Sequence, residues 1–97
     1  MLKVETKFGL GRLFLPRGVN DTVANNSGFA EFVTSSLRWH ASGDWGNVCR
    51  EDRSSNDEAL VEGNRLFSVY EEAGQPKVWV ITEADRSSTT VLFPREY

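Results

Sequence analysis

A chain of 97 residues, with 39% hydrophobic and 26% charged residues, has the composition of one globular domain and is too short for two hydrophobic cores, so residues 1–97 are expected to form a single domain. The net charge is -3 and the eleven Lys and Arg are scattered, which argues against nucleic acid as a partner, while the fourteen acids are too evenly balanced for a nucleic-acid mimic. No apolar run approaches the roughly 18 residues of a membrane span, so no membrane partner is expected.

The first residues, Met1 to Glu5, lack the cationic and apolar regions of a secretion signal, and a cytoplasmic location is therefore expected. Cys49 is the only cysteine, so no internal disulfide can form. No sequence pattern calls for a cofactor. The oligomeric state is left open by the sequence.

Two short extended segments are predicted in the N-terminal part, at 2–7 and at 12–15. The second is apolar and stops at Pro16, which has no N–H to donate to a strand ladder. Residues 17–21 are predicted to form a turn.

A helix is predicted from about residue 28 to residue 40. The polar run from Asn25 to Gly28 is typical of a helix start, and apolar residues then recur at helical spacing, at Phe29, Phe32, Val33 and Leu37. Ser42 and Gly43 should end this helix.

The next helical segment is predicted at about 45–62, either as one kinked helix or as two short ones. Asp44 is a plausible N-cap for it, and Ser55 with Glu58 has the spacing of a second, internal capping box. Gly63 should end the segment, because glycine adopts a positive φ without strain.

The last third is predicted to form three strands, because it is rich in β-branched and aromatic residues at 66–70, 77–83 and 89–93. Short links favour an antiparallel β-meander, with 77–83 in the centre and covered on both faces. The predicted fold class is α+β, with two or three helices packed on an antiparallel meander of at least three strands.

Two polar residues are unexpected in the helix after Asp44. Asp52 and Asn56 share a face with Val48, Ala59 and Leu60. A buried carboxylate or amide is costly unless it is hydrogen-bonded. Either these side chains anchor backbone or pair with an arginine, or they line a polar pocket between helix and sheet.

His40 is the only histidine, and Asp44 follows four residues later. Such a pair can do acid–base chemistry or begin a metal site, but one His and one Cys are too few for zinc, and no metal is expected. In the structural alternative, His40 interacts with the dipole of its helix and Asp44 caps the next one.

The link between the last two predicted strands carries Glu83, Asp85 and Arg86. Asp and Ser commonly bond their own backbone in such turns, but charged residues projected from rigid strands also form binding sites. Arg86 is expected to pair with a carboxylate, that of Asp44, Asp52 or Asp85.

Several strings resemble a family of small bacterial proteins of plasmids, phages and other mobile elements, usually called hypothetical or plasmid-related. They are His40-Ala41-Ser42-Gly43-Asp44-Trp45-Gly46, then Asp52, Asn56 and Gly63, then Arg65 to Tyr70, and Val78-Trp79-Val80-Ile81-Thr82-Glu83-Ala84-Asp85-Arg86-Ser87 with Thr89 to Pro94 and Glu96-Tyr97. The resemblance covers roughly residues 38–97. It implies a genetic context and no particular chemistry.

The family pattern includes His40, Asp44, Trp45, Asp52, Asn56, Glu83, Asp85 and Arg86, which form the candidate functional cluster. The leading hypothesis is a non-enzymatic accessory factor of a mobile element that binds a protein partner. The alternative is a small hydrolase or transferase in which His40, Asp44, Asp85 and Arg86 build a polar site. A third is a purely structural hydrogen-bond network.

Overall fold

The computed structural model describes residues 6–97, which form an α+β fold of three helices packed on a four-stranded mixed sheet. The elements in chain order are β1 (Arg12–Phe14), α1 (Arg17–Asn25), α2 (Ser27–Ala41), α3 (Arg50–Glu62), β2 (Leu66–Tyr70), β3 (Val78–Thr82), β4 (Ser88–Leu92) and a 3₁₀ turn (Pro94–Glu96). Most of the strand predicted at 2–7 lies outside the described residues.

The sheet has the order β1-β4-β3-β2. The pairs β2–β3 and β3–β4 are antiparallel, so the predicted meander with a central β3 is confirmed. β1 adds a fourth strand parallel to β4, with Arg12 beside Ser88 and Phe14 beside Thr90. The sheet is therefore not a pure meander, because a strand from the N-terminal part of the chain completes it.

One face of the sheet packs against α1 and α2. The predicted apolar stripe of α2 is confirmed, since Phe29, Phe32 and Val33 are buried against Val78 and Val80 of β3. Asn26 caps the helix, and its side-chain oxygen accepts from the Phe29 N–H at 3.0 Å. This face carries the larger of the two hydrophobic clusters.

The turn predicted at 17–21 is wrong, because these residues begin α1. Val19 is fully buried and Val23, one helical turn later, packs against the same cluster. The helix lacks a side-chain cap of its own, and Glu96 supplies one by accepting from the Gly18 N–H at 2.8 Å. Tertiary contacts thus form a helix that local propensity disfavours.

The helix predicted from residue 45 begins only at Arg50, with Cys49 as its N-cap. Asp44 is therefore not the cap, and the Ser55–Glu58 pair lies within α3 and starts no helix. Gly63 ends α3 with φ 75°, as predicted. None of the helices in residues 6–97 combines the length and the hydropathy needed to cross a bilayer.

The face of the sheet opposite α1 and α2 is here called the outer face. It consists of the alternate strand residues Arg12, Phe14, Phe67, Val69, Trp79, Ile81, Ser88, Thr90 and Leu92. Residues Val78 to Ile81 of β3 are all apolar, so β3 places apolar side chains on both faces of the sheet. On the outer face, Ile81 is only 4% exposed. Side chains from the loops, among them Tyr97, therefore contribute to covering this face.

Candidate functional site

Asn56 binds the free edge of the sheet. Its side-chain N–H donates to the carbonyl of Phe67 at 2.6 Å, and its carbonyl oxygen accepts from the Phe67 N–H at 3.0 Å. The side chain thereby takes the place of a neighbouring strand beside β2. Asn56 is 3% exposed, and these bonds satisfy the amide.

The Gly-Asp-Trp-Gly string pairs with the next part of the same edge. The Asn47 N–H donates to the carbonyl of Val69 at 2.6 Å, and the Val69 N–H donates to the carbonyl of Trp45 at 3.3 Å. The Asn47 side chain also accepts from the N–H of Glu71. An unpaired strand edge can recruit other chains, and this segment removes that possibility at β2.

Trp45 is buried, at 3% exposed, and belongs to the smaller hydrophobic cluster. Its indole N–H donates to the carboxylate of Asp57 in α3 at 3.0 Å. Asp44 accepts from the Gly46 N–H within the turn, and its carbonyl accepts from the Tyr70 hydroxyl. These contacts fix the turn to α3 and to β2.

His40 lies at the centre of a buried hydrogen-bond chain. Its Nδ1 is 2.6 Å from the Ser68 hydroxyl and its Nε2 is 2.9 Å from the Thr82 hydroxyl. The Thr82 and Thr89 hydroxyls are 2.7 Å apart, and Thr89 donates to the carbonyl of Leu10. The chain links α2, all three meander strands and the segment that leads into β1.

The directions of these bonds assign the tautomer of His40. Since the only hydroxyl proton of Thr89 goes to Leu10, Thr82 must donate to Thr89 and is left to accept from His40. The imidazole therefore carries its proton on Nε2, and the Ser68 hydroxyl donates to Nδ1. Each ring nitrogen is used inside the protein.

Burial, with a smaller contribution from the charge of Arg86, lowers the pKa of His40 to about 3. The ring is fully buried and neutral near pH 7, so the expected interaction of a cationic His40 with its helix dipole is wrong. Within residues 6–97, no three His, Cys, Asp or Glu side chains gather as metal ligands.

Arg86 bonds to backbone carbonyls and not to the carboxylate that the sequence predicted. Its guanidinium donates to the carbonyls of Asn64 at 2.6 Å and of Ala59 at 3.0 Å, at the C-terminal end of α3. It also reaches the carbonyls of Glu83 and Ala84 in its own turn. A cation is favourable there, because the last carbonyls of a helix lack partners within the helix.

The remaining acidic candidates do not join one site. Asp52 is exposed in the first turn of α3, so the prediction that it faces the core is wrong. Glu83 pairs with Arg65 at 3.7 Å, and both side chains are about half exposed. Asp85 accepts from the Ser87 N–H, and hydrogen bonds from Ser87 lower the pKa of this carboxyl.

The structure thus divides the eight candidate residues. His40, Trp45 and Asn56 are buried and internally bonded, while Arg86 joins the turn between β3 and β4 to the end of α3 and not to Asp44. They hold elements together and do not line a common open cleft. The arrangement offers no exposed acid–base pair built on His40.

The outer face carries the surface feature that the candidate list omitted. A groove of about 300 Å³ is lined by Arg65, Phe67, Trp79, Ile81 and Tyr97. A second groove of about 260 Å³ adjoins it, shares Arg65, Ile81 and Tyr97, and extends to Pro16 and Leu92. We call the two together the outer groove.

Aromatic contacts shape the outer groove. The Trp79 ring meets Phe67 edge-on at 5.2 Å and Tyr97 edge-on at 5.6 Å. Arg65 lies over the Tyr97 ring and donates to its hydroxyl at 3.1 Å. Tyr97 remains 70% exposed and forms the wall between the two halves. The sequence signal for this surface was the lack of polar alternation in β3.

Comparisons of the chain with protein-family models, with curated proteins and with solved structures give no match.

We expect Asn56→Ala to lower the free energy of unfolding by about 1–3 kcal/mol, because it leaves both backbone groups of Phe67 without their partners. Asp52→Ala is the matched control on the same helix, and its effect should stay within about 0.5 kcal/mol, since Asp52 is exposed. Urea denaturation of the two variants decides this. Equal effects would contradict the role of Asn56 at the strand edge.

Arg86→Ala should lower the free energy of unfolding by about 1–3 kcal/mol, because the carbonyls at the end of α3 lose their donor. Arg86→Gly should be milder than alanine, since residue 86 has φ 62° and glycine adopts this conformation more easily. Thermal melts of both, with Arg17→Ala as the exposed-arginine control, test this. If alanine and glycine behaved like the Arg17 control, the assignment would be refuted.

Proposed function

We propose that this protein is a non-enzymatic interaction protein that binds a protein partner through the outer groove. The observation that carries the proposal is the cluster of Trp79, Phe67 and Tyr97 with Arg65 on one face of the sheet. Tryptophan, tyrosine and arginine are enriched among the residues that dominate binding energy at protein interfaces.

The outer face is more apolar than the solvated face of a sheet usually is, which favours its contact with a partner. Antiparallel sheets with one solvated face usually alternate apolar and polar residues. Here the outer positions of β2 and β3 are Phe67, Val69, Trp79 and Ile81. Ile81 is already buried, but Phe67, Val69 and Trp79 are only partly buried, and free energy is gained when a partner removes their remaining apolar surface from water.

The charges around the outer groove indicate the kind of partner surface. Arg65, the cation that lines the groove, is paired with Glu83, which lines it as well, so this positive charge already has a partner within the protein. A partner surface therefore needs no net charge to bind there. An apolar or aromatic segment with few charges suits the groove best.

The resemblance of residues 38–97 to plasmid-related proteins supplies the proposed context. The protein would act in the cytoplasm as an accessory factor of a mobile element, and its partner would be a protein encoded by the element or by the host. The hydrolase or transferase alternative is less well supported, because His40 is fully buried and both its nitrogens are bonded to internal hydroxyls.

Site-specific photocrosslinking in the cell that carries the gene tests the proposal. A photoreactive phenylalanine analogue replaces Tyr97 at the groove or, as a matched control, the 87% exposed Val61 of α3. We expect a discrete crosslinked protein from position 97 and none from position 61. The same products from both positions, or none from either, would count against the outer groove.

Titration of the crosslinked protein then tests the energetics. Arg65→Ala and Trp79→Ala should each weaken its binding by about tenfold or more, the effect of losing a central interface residue. Val61→Ala should leave the affinity unchanged. Unchanged binding by both groove variants would show that the partner uses another surface.

A further inference from the structure

The two edge strands of the sheet, β2 and β1, differ in whether their outward backbone groups are hydrogen-bonded. At β2, the outward N–H and carbonyl groups of Phe67 and Val69 all have partners, supplied by Asn56, Trp45 and Asn47. At β1, no segment among residues 6–97 pairs with the side of the strand that faces away from β4. The described part of the chain thus leaves one edge open.

The open edge is centred on Leu13. In a parallel pair, alternate residues direct their backbone groups to the neighbouring strand. The Arg12 N–H donates to the carbonyl of Ser87, which immediately precedes β4, so Arg12 faces β4. Arg12 and Phe14 therefore bond toward β4, and the N–H and carbonyl of Leu13 point away from the sheet. A backbone in extended conformation can accept and donate both of these bonds together, as the Asn56 amide does at Phe67 on the other edge.

Two apolar side chains accompany these free backbone groups. Leu13 and Phe14 are each 49% exposed, Leu13 on the helix side of the sheet beside Thr89 and Phe14 on the outer face beside Thr90. Edge strands in monomers are usually protected by shortness, charged residues, proline, bulges or covering segments. β1 is short and carries Arg12, but it has no proline and no bulge, and Leu13 and Phe14 stay half exposed. The exposed leucine and phenylalanine of β1 favour a strand that is covered by another chain.

We propose that two copies of this protein pair through β1, antiparallel and about a two-fold axis at Leu13, to form a continuous eight-stranded sheet. This register is complementary to itself. Leu13 exchanges two backbone hydrogen bonds with Leu13 of the second copy, and the two side chains meet on the same face.

The same register places Arg12 directly opposite Phe14 of the second copy. A guanidinium beside an aromatic ring is favourable, and this pairing occurs twice across the axis. No position sets two like charges directly opposite each other. The sequence Arg-Leu-Phe therefore suits a second copy of itself better than an unrelated strand with its own charge pattern.

The dimer should be weak and reversible, because a pairing of three residues on each side lies below the roughly 1,000 Å² expected of a stable interface. Its consequence for the outer groove is geometrical. The half of the groove next to Pro16 lies near β1, so dimerisation brings the outer grooves of two copies onto one extended surface. Two linked sites bind a repeated or dimeric partner more tightly than one.

Sedimentation equilibrium of the purified chain, from micromolar to millimolar concentration, tests the proposal. We expect a monomer–dimer equilibrium for the wild type and for Val61→Arg, which places the same charge on an exposed apolar position away from β1. Leu13→Arg should weaken the dimer by about tenfold or more. Circular dichroism checks that both variants fold.

Amide hydrogen exchange of the wild type gives a second measurement that needs no variant. The Leu13 amide should exchange more slowly as the protein concentration rises, while the exposed amides of α3 should not change. A wild type that remains monomeric at millimolar concentration overturns the proposal. So does a dimer that Leu13→Arg leaves intact, or a Leu13 amide whose exchange is independent of concentration.

Discussion

Gly46→Ala is expected to lower the free energy of unfolding by more than about 3 kcal/mol, the largest effect predicted for any single substitution in this protein. A Cβ atom at this position would lie 2.0 Å from the carbonyl oxygen of Val69 and 2.6 Å from the ring of Tyr70. Gly46 also has φ 73°, which is unfavourable for alanine. The turn would have to leave the β2 edge to relieve the overlap.

Gly74→Ala is the matched control for Gly46→Ala. Gly74 has φ 82°, but no atom lies within 4 Å of its added Cβ, so it carries the backbone penalty without the overlap. Its expected cost is about 1 kcal/mol. Urea denaturation of both variants separates the two effects, and similar costs would show that the turn is not held tightly against β2.

Acidification from pH 7 to pH 5 is expected to remove about 2 kcal/mol of stability through His40 alone. The pKa of this residue falls from 6.5 to about 3 in the folded protein, chiefly because of burial. Between these values the unfolded chain binds the proton and the folded protein does not. His40 therefore takes little from the free energy of unfolding above about pH 6.5, and this free energy declines progressively as the pH falls toward 3.

His40→Gln is the control for this pH dependence, because glutamine can keep hydrogen bonds but does not titrate. The variant should be less stable than the wild type at pH 7 and should show a flatter dependence between pH 7 and pH 5. Asp85 does not contribute to the slope between pH 7 and pH 5, because its pKa is lowered from a value that is already below this range. Equal slopes for both proteins, measured by urea denaturation, would show that folding does not change the pKa of His40.

The elements that follow from local sequence signals were predicted well. The Asn26 cap, the apolar stripe of α2, the end of α3 at Gly63 and the three meander strands each depend on residues close together in the chain. The helix α1 and the parallel pairing of β1 were not predicted. Both depend on partners from the far end of the sequence, such as Glu96 and β4.

The polar residues show why the candidate site was predicted only in part. Asp52 and Asn56 share a helix face by spacing, but α3 begins at Arg50, so Asp52 lies in its first turn, where it is exposed, while Asn56 reaches β2. The partners of Arg86 are backbone carbonyls, which every residue carries and which no sequence pattern marks. Side-chain complementarity alone therefore pointed to the wrong partners.

The outer groove could have been recognised from the run Val78 to Ile81. The absence of polar alternation there was interpreted as a strand covered on both faces. The inner face is indeed covered by helices, but Trp79 and Ile81 face a groove walled by Tyr97 and Arg65. An apolar run on a central strand thus fits either a third layer or an interaction surface.

The contacts between the two ends of the chain have a consequence for folding during protein synthesis. Glu96 bonds to Gly18, 78 positions earlier, and β1 pairs with β4 across a similar distance. Contacts so far apart form late, because closing a long loop costs entropy before any contact compensates for it. While the ribosome is still adding residues, β1 lacks β4 and the Gly18 N–H lacks Glu96, so the pairing of β1 and the cap of α1 form only after β4 and Glu96 have been made.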